Sequence, residues 1–300
     1  MLILFPAEPF NLPNVDAVYA AEAVAAETLG LTWAVIDLEA LLEGAIKQAL
    51  RRVTVTSEPT LAIYRGWILN LAQYQQLAQG LAAKNYQLIN DAAAYAACHH
   101  LPNVLPLLGD QTPASLVFPQ EQGLDAASIA ARAAIYFDQQ ALIIKDYVKS
   151  RKHEWYEACF IANATDQAQS ARVIQTFIQR QAEALVGGVV LRAWHPLQIW
   201  QTHQQSGLAL AYEYRSFWLD GTMLWATPYW DHQPSQPNPD WSRYTALAQQ
   251  IQSRFWTLDL ALTQTGDWLI IELGDGQVSG LPDHTNAQEL FQALAQRFAD

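Results

Sequence analysis

The stretch WLIIELGDGQVSGLP, residues 268–282, combines the pattern of a buried strand with acidic residues at the end of that strand. Residues 268–271 are apolar, Glu272 follows them directly, and Asp275 comes three residues later between two glycines. A carboxylate taken out of water costs several kcal/mol, so buried acids are normally paired or bound to a metal ion. These two acids therefore need a partner.

A β-hairpin is predicted around the turn Thr-Gly-Asp at residues 265–267, because apolar strands precede and follow it. If Thr263 pairs with Trp268, Asp259 on the first strand lies directly opposite Glu272 on the second. Side chains in such a pair have Cβ atoms roughly 4.5–5.5 Å apart, and like charges at that distance repel each other. The hairpin is therefore expected to bring two carboxylates together.

Asp259, Glu272 and Asp275 are the candidate metal ligands of this sequence. Oxygen ligands suit a hard cation, and Mg²⁺ takes few carboxylates and leaves positions for phosphate oxygens. The alternative is that the acids lie on a solvated face of the sheet and that the glycines only turn the chain. The spacing alone does not decide between these two interpretations.

The segment ALIIKDYVKS, residues 141–150, is predicted as a strand that runs into charged residues. Lys145 ends its apolar part, and Lys149 lies four residues further on. Lysine presents a compact positive charge that suits phosphate oxygens. Arg151 and Lys152 come next, and for these two the favoured interpretation is a solvated loop.

Two arginines are embedded in predicted apolar strands. Arg192 lies in VVLRAW, and Arg215 lies in AYEYRSFW, two residues after Glu213. A charge in such a strand must be paired, and the arginine fork suits phosphate oxygens. Structural ion pairs are the alternative for both arginines.

Arg65-Gly66-Trp67 follows a strand predicted over residues 61–64. Open α/β sheets bind ligands at the carboxyl ends of their strands. Arg65 is therefore a candidate for binding a substrate carboxylate, with Trp67 beside it. The alternative is a turn that packs Trp67 on the sheet.

The composition restricts the class of protein. The chain has 300 residues, a formal net charge of −12 and 51% hydrophobic residues. The acidic balance argues against non-specific binding to nucleic acids or anionic membranes, and no apolar stretch approaches the ~20 residues that a membrane helix needs. The N-terminus lacks the basic region of a signal peptide, and the two cysteines form no CxxC pattern. We therefore predict a cytoplasmic protein with neither a nucleic-acid nor a membrane partner.

Strands alternate with helices in the first third of the chain. A strand is predicted over residues 32–36 and a helix over residues 71–81, among others. This alternation predicts a small α/β unit with a mainly parallel sheet. Further along the chain, the segment DHQPSQPNPD, residues 231–240, is predicted to be a linker.

The order of these motifs resembles the ATP-grasp enzymes, in particular the branch in which a lysine pair replaces the usual glycine-rich phosphate loop. The resemblance covers most of the chain, and it rests on IYRGWILNLAQYQQL (63–77), LINDAAAYAACHHLP (88–102), KDYVK (145–149), VVLRAW (189–194), EYRSFWLDG (213–221), TLDLAL (257–262) and IELGDGQ (271–277). More distantly, LRAW followed by EYRSF is similar to eukaryotic cell-division-cycle ATP-grasp proteins that act in translation-factor assembly.

The resemblance implies an α+β fold. An ATP-grasp domain would occupy residues 111–300, behind a small α/β pre-ATP-grasp domain at residues 1–110. ATP would be bound between two α+β subdomains, at about 111–188 and 189–300.

The resemblance also implies contacts with ATP and Mg²⁺. Lys145 and Lys149 would contact the phosphates, and Arg215 would neutralise phosphoryl charge, which makes Lys149 and Arg215 the predicted catalytic residues. Glu213 would bind the ribose. The other predicted nucleotide-binding residues are Arg192 and, with their backbone at the adenine, Ala193, Trp194 and His195.

In this resemblance Asp259, Glu272 and Asp275 would hold Mg²⁺. The chain departs from the commonest family pattern at the last position. Where an asparagine usually stands two residues after the glutamate, this chain has Gly274 and then Asp275.

The implied activity is ATP-dependent ligation of a carboxylate to an amine through an acyl-phosphate intermediate. The substrates would be small molecules or peptides. The alternative, suggested by the distant translation-factor relatives, is a non-catalytic ATP-binding assembly factor for a protein partner. The oligomeric state is left open, with a homo-oligomer as one option.

Overall fold

The computed structural model describes residues 1–202, 209–231 and 237–299. The chain forms two compact units. The first unit consists of Met1–Cys98, Glu213–Asp259 and Leu273–Asp300, and the second consists of His99–Tyr212 and Leu260–Glu272. The prediction of a separate domain at residues 1–110 stays a prediction.

Helices and strands are mixed throughout the described residues. The α-helices are α1 Ala20–Thr28, α2 Leu38–Leu42, α3 Ile46–Ala49, α4 Leu71–Ala82, α5 Ala92–His99, α6 Leu101–Leu108, α7 Ala126–Phe137, α8 Gln167–Gln181, α9 Thr245–Ala248 and α10 Ala287–Ala299. The strands are β1 Leu2–Glu8, β2 Asn11–Val15, β3 Thr32–Ile36, β4 Thr60–Tyr64, β5 Tyr86–Leu88, β6 Ser115–Pro119, β7 Leu142–Lys145, β8 Phe160–Ile161, β9 Gly188–Ala193, β10 Ile199–Thr202, β11 Ala209–Ala211, β12 Glu213–Leu219, β13 Thr222–Pro228, β14 Phe255–Leu262 and β15 Trp268–Asp275.

The first unit contains a mainly parallel sheet with β1 inside it. β1 pairs in parallel with β3 and β4, β4 pairs in parallel with β5, and β2 folds back antiparallel on the end of β1. Successive side chains of a strand point to opposite faces. Accordingly, Leu2 and Leu4 pack in a core cluster with residues of α4, while Ile3 and Phe5 pack in a cluster with residues of α1 and α10. The predicted α/β arrangement of this segment is confirmed.

The second unit contains an antiparallel sheet in the order β6-β9-β7-β8. One face of it carries Leu142, Ile144 and Leu191, which pack against residues of α7 and α8. Both helices begin at an aspartate, because Asp125 and Asp166 each accept a hydrogen bond from a backbone N–H of the first turn. The helices therefore cover one face of this sheet.

A third sheet has the order β13-β12-β14-β15. β12 and β13 form a hairpin whose two turn residues, Asp220 and Gly221, both have positive φ, as a tight two-residue turn requires. The hairpin predicted around residues 265–267 is present as β14 and β15, and the N–H of Thr263 donates to the carbonyl of Asp267 at its turn. The division into units falls within these two strands.

Two further predictions concern the chain outside the sheets. Within the described residues, no helix is long and apolar enough to cross a membrane. Of the linker predicted over residues 231–240, residues 232–236 lie outside the described part of the chain.

Candidate functional site

The second unit places two basic side chains on one face of its sheet. In the antiparallel register, Lys145 of β7 pairs with Val190 of β9, and Ile143 pairs with Arg192. Paired residues, and residues two apart on one strand, point to the same face. Lys145 and Arg192 therefore lie on the face opposite to helices α7 and α8.

Lys145 is almost fully buried, with 8% of its surface exposed. Its Nζ lies 3.7 Å from Oε1 of Glu272, whose side chain is 47% exposed. Burial lowers the pKa of Lys145, and the carboxylate of Glu272 opposes that shift. An ammonium group buried to this extent gains from an additional anionic partner.

Arg192 is equally buried, and two of its three guanidinium nitrogens hold the surrounding chain. Nη1 donates to the carbonyl of Ile271 at 2.8 Å, and Nη2 donates to Oγ1 of Thr112 at 2.8 Å. Nε is buried and has no hydrogen-bond partner among the described residues. Burial lowers the pKa of Arg192 to about 10, and Glu272 opposes this shift. One donor of Arg192 therefore remains for a ligand oxygen.

The segment after Lys145 is a tight loop that a buried acid organises. The strand predicted over residues 141–150 is wrong beyond Lys145, because Asp146 turns the chain. Its Oδ1 accepts from the backbone N–H of Val148 at 2.7 Å and of Lys149 at 2.6 Å. The Asp146 N–H also donates to the carbonyl of Lys149 at 2.8 Å. The side chain of Lys149 is exposed on this loop.

The second oxygen of Asp146 fastens the loop to two other segments. Oδ2 accepts from Nε2 of Gln181, at the end of α8, at 2.9 Å and from the N–H of Val186, before β9, at 3.3 Å. Asp146 is fully buried. Sequence analysis missed this residue, although it follows an apolar strand in the same way as Glu272.

The predicted adenine-binding backbone lies at the end of β9. The N–H groups of Ala193 and Trp194 donate to the carbonyls of Ala114 and Ala141, each at 2.8 Å. Burial lowers the pKa of His195, and Arg192 adds to this shift. The adenine contact itself stays a prediction.

Aromatic side chains that sequence analysis did not single out adjoin this strand end. Phe160 pairs with Ile143 and so shares the face of Lys145. Its ring stacks on Trp155 with centroids 5.0 Å apart and meets Trp194 edge to face at 5.7 Å. The face with the two basic residues thus also has an apolar, aromatic part.

In the first unit, Arg215 and Asp259 form a bidentate ion pair. Nε donates to Oδ1 at 2.9 Å and Nη2 donates to Oδ2 at 2.6 Å, while Nη1 donates to the carbonyl of Gly280 at 2.8 Å. The guanidinium also lies 4.9 Å from the ring centroid of Tyr229. Glu213 is the first residue of the same strand, β12. The ion-pair interpretation therefore describes these contacts of Arg215.

Asp275 lies in a buried hydrogen-bond network of the first unit. Oδ2 accepts from Nδ2 of Asn90 at 2.6 Å, and Oδ1 accepts from the N–H of Gln277 at 2.9 Å. Burial raises the pKa of Asp275 to about 6, although hydrogen bonds from Gln277 and Asn90 act in the other direction. These contacts occupy both oxygens of the carboxylate.

The structure places the three predicted metal ligands in different surroundings. Asp259 is paired with Arg215, Glu272 with Lys145, and Asp275 with amide groups. Throughout residues 1–202, 209–231 and 237–299, no three His, Cys, Asp or Glu side chains form a group that could hold a metal ion. The magnesium site stays a prediction.

Arg65 is fully buried at the end of β4. Its Nε and Nη2 donate to the two carboxylate oxygens of Glu22 at 2.7 and 2.8 Å. Trp67 is 45% exposed, and its Nε1 donates to Oδ2 of Asp16 at 3.1 Å. The predicted substrate role of Arg65 and Trp67 stays a prediction, and the burial of Arg65 argues against it.

Comparison with solved structures shows the fold of the whole chain. D-cycloserine synthetase DcsG has 15% identity and a TM-score of 0.60, with 99% of each chain covered. Macrocyclase MdnC bound with precursor peptide MdnA, from Microcystis aeruginosa MRC, has 10% identity and a TM-score of 0.58, with 99% of this chain and 100% of that chain covered. D-alanyl-alanine synthetase A from Vibrio cholerae has 10% identity and a TM-score of 0.53, with 100% of this chain and 99% of that chain covered.

At these identities the likeness establishes the fold, and the predicted α+β ATP-grasp fold is confirmed. Comparison with curated proteins finds no significant match. Residues 136–294 match a family described as an ATP-grasp domain, the family numbered 3 within its clade. This match spans more than half of the chain and includes every predicted nucleotide and metal ligand. The chain therefore belongs to the ATP-grasp family.

Proposed function

We propose that the protein is an ATP-dependent ligase that joins a carboxylate to an amine through an acyl-phosphate intermediate. The observation that carries the proposal is the pair of buried cations, Lys145 and Arg192, on the sheet face opposite to α7 and α8. Family membership supports ATP as the anion that they bind. The names of structural neighbours, which include synthetases and a macrocyclase with a bound precursor peptide, support a small-molecule or peptide substrate.

Phosphate oxygens suit the donors on this face. The Nε–H of Arg192 is buried without a partner among the described residues, and the ammonium group of Lys145 lies 3.7 Å from a half-exposed carboxylate. Hydrogen bonds between ionised groups are about twice as strong as neutral ones, and burial strengthens them further. The loop of Lys149, held by Asp146, would add a third cation without having to fold around the ligand.

The carboxylates of Asp259 and Glu272 fit a magnesium ion by their chemistry. Mg²⁺ in nucleotide sites is usually held by one or two carboxylates together with substrate phosphates. The ion would offset charge on the phosphate oxygens when bound. We leave Asp275 out of this set, because amide groups occupy its carboxylate oxygens.

In the proposed reaction the substrate carboxylate attacks the γ-phosphorus of ATP, and ADP leaves. An amine then attacks the acyl carbon of the acyl phosphate and releases phosphate. Lys145, Lys149 and Arg192 would bind the phosphoryl oxygens, and Arg215 would offset the charge that develops during transfer. Water must be kept from the acyl phosphate until the amine arrives, because hydrolysis would waste it.

Replacing Lys145 by alanine should weaken ATP binding far more than replacing Lys152. Loss of a charge-assisted hydrogen bond costs roughly 1.5–3 kcal/mol, or about ten- to a hundredfold in affinity. Lys152 is exposed and serves as the matched control. Calorimetric titration with a non-hydrolysable ATP analogue and Mg²⁺ measures both variants. Equal, small effects would contradict the proposed role of Lys145.

The ligase activity itself should appear as phosphate release that depends on added substrates. Release from ATP should be slow alone, should rise when mixtures of amino acids, peptides or polyamines are added, and should stop when EDTA removes the metal. Mass spectrometry should then find a product one water lighter than the two substrates together. Failure of every mixture, together with co-purification of a protein partner, would favour the assembly-factor alternative.

A further inference from the structure

We propose that Arg65 is a positioning residue, which acts on Arg215 through the loop formed by residues 276–280. The inference rests on the proposed function, in which Arg215 offsets phosphoryl charge. Arg65 belongs to the Arg-Gly-Trp motif, and its burial excludes it from direct contact with solvent-borne substrate. Its contacts lead to the loop instead.

Arg65 is itself held rigidly. Both oxygens of Glu22, on α1, accept from its guanidinium, and the side chains of this pair are 1% and 6% exposed. An ion pair that is bidentate and buried fixes the plane of the guanidinium. The remaining nitrogen, Nη1, therefore points in a defined direction.

That nitrogen holds the first part of the loop. Nη1 of Arg65 donates to the carbonyl of Gly276 and to the carbonyl of Ser279, the latter at 2.9 Å. The loop is also turned on itself, because Oγ of Ser279 donates to the carbonyl of Asp275 at 2.9 Å. Arg65 thus fixes two carbonyls of one short loop.

The next carbonyl along the chain accepts from Arg215. Gly280, directly after Ser279, accepts from Nη1 of Arg215 at 2.8 Å. A second link runs through β12, since the guanidinium of Arg65 lies 5.7 Å from the ring centroid of Phe217. Phe217 is two residues from Arg215 and therefore points to the same face of that strand. Two routes connect the arginines.

Arg215 needs both of its anchors to keep one orientation. Asp259 binds Nε and Nη2, and the carbonyl of Gly280 binds Nη1. If the loop moves, the ion pair with Asp259 can still form, but the guanidinium loses the contact with Gly280 at its third corner. A small misplacement of a group that acts on the transition state lowers kcat more than it lowers ground-state affinity.

Arg65→Lys is the variant that tests this proposal. Lysine keeps a charge for Glu22, but a single ammonium cannot bind the carboxylate bidentately and reach two carbonyls as well. We expect turnover to fall about tenfold, which corresponds to ~1.4 kcal/mol, with little change in ATP affinity. Leu77→Ala, a fully buried core position of the same unit, serves as a control for a general loss of stability.

Two readouts separate positioning from simple destabilisation. Hydrogen exchange of the amides in residues 276–280 should rise in Arg65→Lys and stay unchanged in Leu77→Ala at a temperature where both are folded. In an Arg215→Lys background, Arg65→Lys should cause no further loss of turnover, because the residue through which it acts has already changed. Fully multiplicative losses, or unchanged exchange in the loop, would overturn the proposal.

Failure of the proposed function has a different signature. A wild-type protein that binds no ATP and releases no phosphate with any mixture would refute the ligase proposal. The exchange experiment needs no turnover, so it decides in that case whether Arg65 holds the loop.

Discussion

Replacing Asp146 by alanine should cost about 4 kcal/mol of folding free energy and most of the affinity for ATP. The carboxylate of this buried residue accepts four hydrogen bonds, three of them from backbone N–H groups. Each buried donor left without a partner costs about 1–3 kcal/mol, and some of them would regain water as the loop opens. Affinity should fall because Lys145 and Lys149 would no longer flank an ordered loop.

Asp166→Ala is the matched control for this prediction. Asp166 caps α8 in the same unit and accepts one hydrogen bond at its side chain, from the N–H of Gln169 at 3.0 Å. Loss of such a cap costs ~1 kcal/mol. Asp146→Asn should fall between the two, because one side-chain oxygen is retained while the amide group faces the donors of Gln181 and Val186. Denaturant unfolding and calorimetric titration with ATP measure the series, and equal stability of Asp146→Ala and Asp166→Ala would refute the organising role.

Replacing Asn90 by alanine should destabilise the first unit by about 3–5 kcal/mol. Nδ2 donates to the carbonyl of Phe255 at 2.7 Å and to Asp275 at 2.6 Å, and Oδ1 accepts from the N–H groups of Arg254 and Phe255. The truncation would leave a buried carboxylate with one donor fewer and two backbone N–H groups without their acceptor. The pKa of Asp275 should rise further, because the hydrogen bond from Asn90 lowers it.

Asn70→Ala provides the control. Asn70 caps α4 at the surface and shares a reciprocal pair of hydrogen bonds with Gln73. Its loss should cost ~1 kcal/mol. The midpoints of thermal unfolding at pH 7 and pH 5 measure both variants. A shift for Asn90→Ala no larger than that for Asn70→Ala would show that the network around Asp275 contributes little.

The elements that sequence analysis predicted well are those with a strong local pattern. The strand over residues 32–36 is found with those bounds, and the helix predicted over residues 71–81 extends one residue further. In both cases the apolar period and the flanking polar residues lie within a few positions of each other. The same holds for Lys145, since a lysine directly after an apolar run ends the buried part of its strand.

Long-range partners could not be read from such patterns. Glu22 reaches Arg65 across 43 positions, and Asn90 reaches Asp275 across 185. The sequence contains no local sign of either pair, so Arg65 was open to a substrate role and Asp275 to a metal role. Burial decides between these interpretations, because a fully buried polar group must be satisfied by whichever groups the fold brings to it.

By itself the sequence determined the family, the mixed α/β and α+β architecture, and the strand ends at which charged residues stand, because these depend on the order of motifs and on local periodicity. Only the tertiary structure decided how each charge is used. The register of β7 and β9 places Lys145 and Arg192 on one face, and Asp146 turns the lysine segment into a closed loop. The physical reason is that hydrogen bonds and ion pairs act over about 3 Å. Residues far apart in the chain acquire partners at that distance only when the chain has folded.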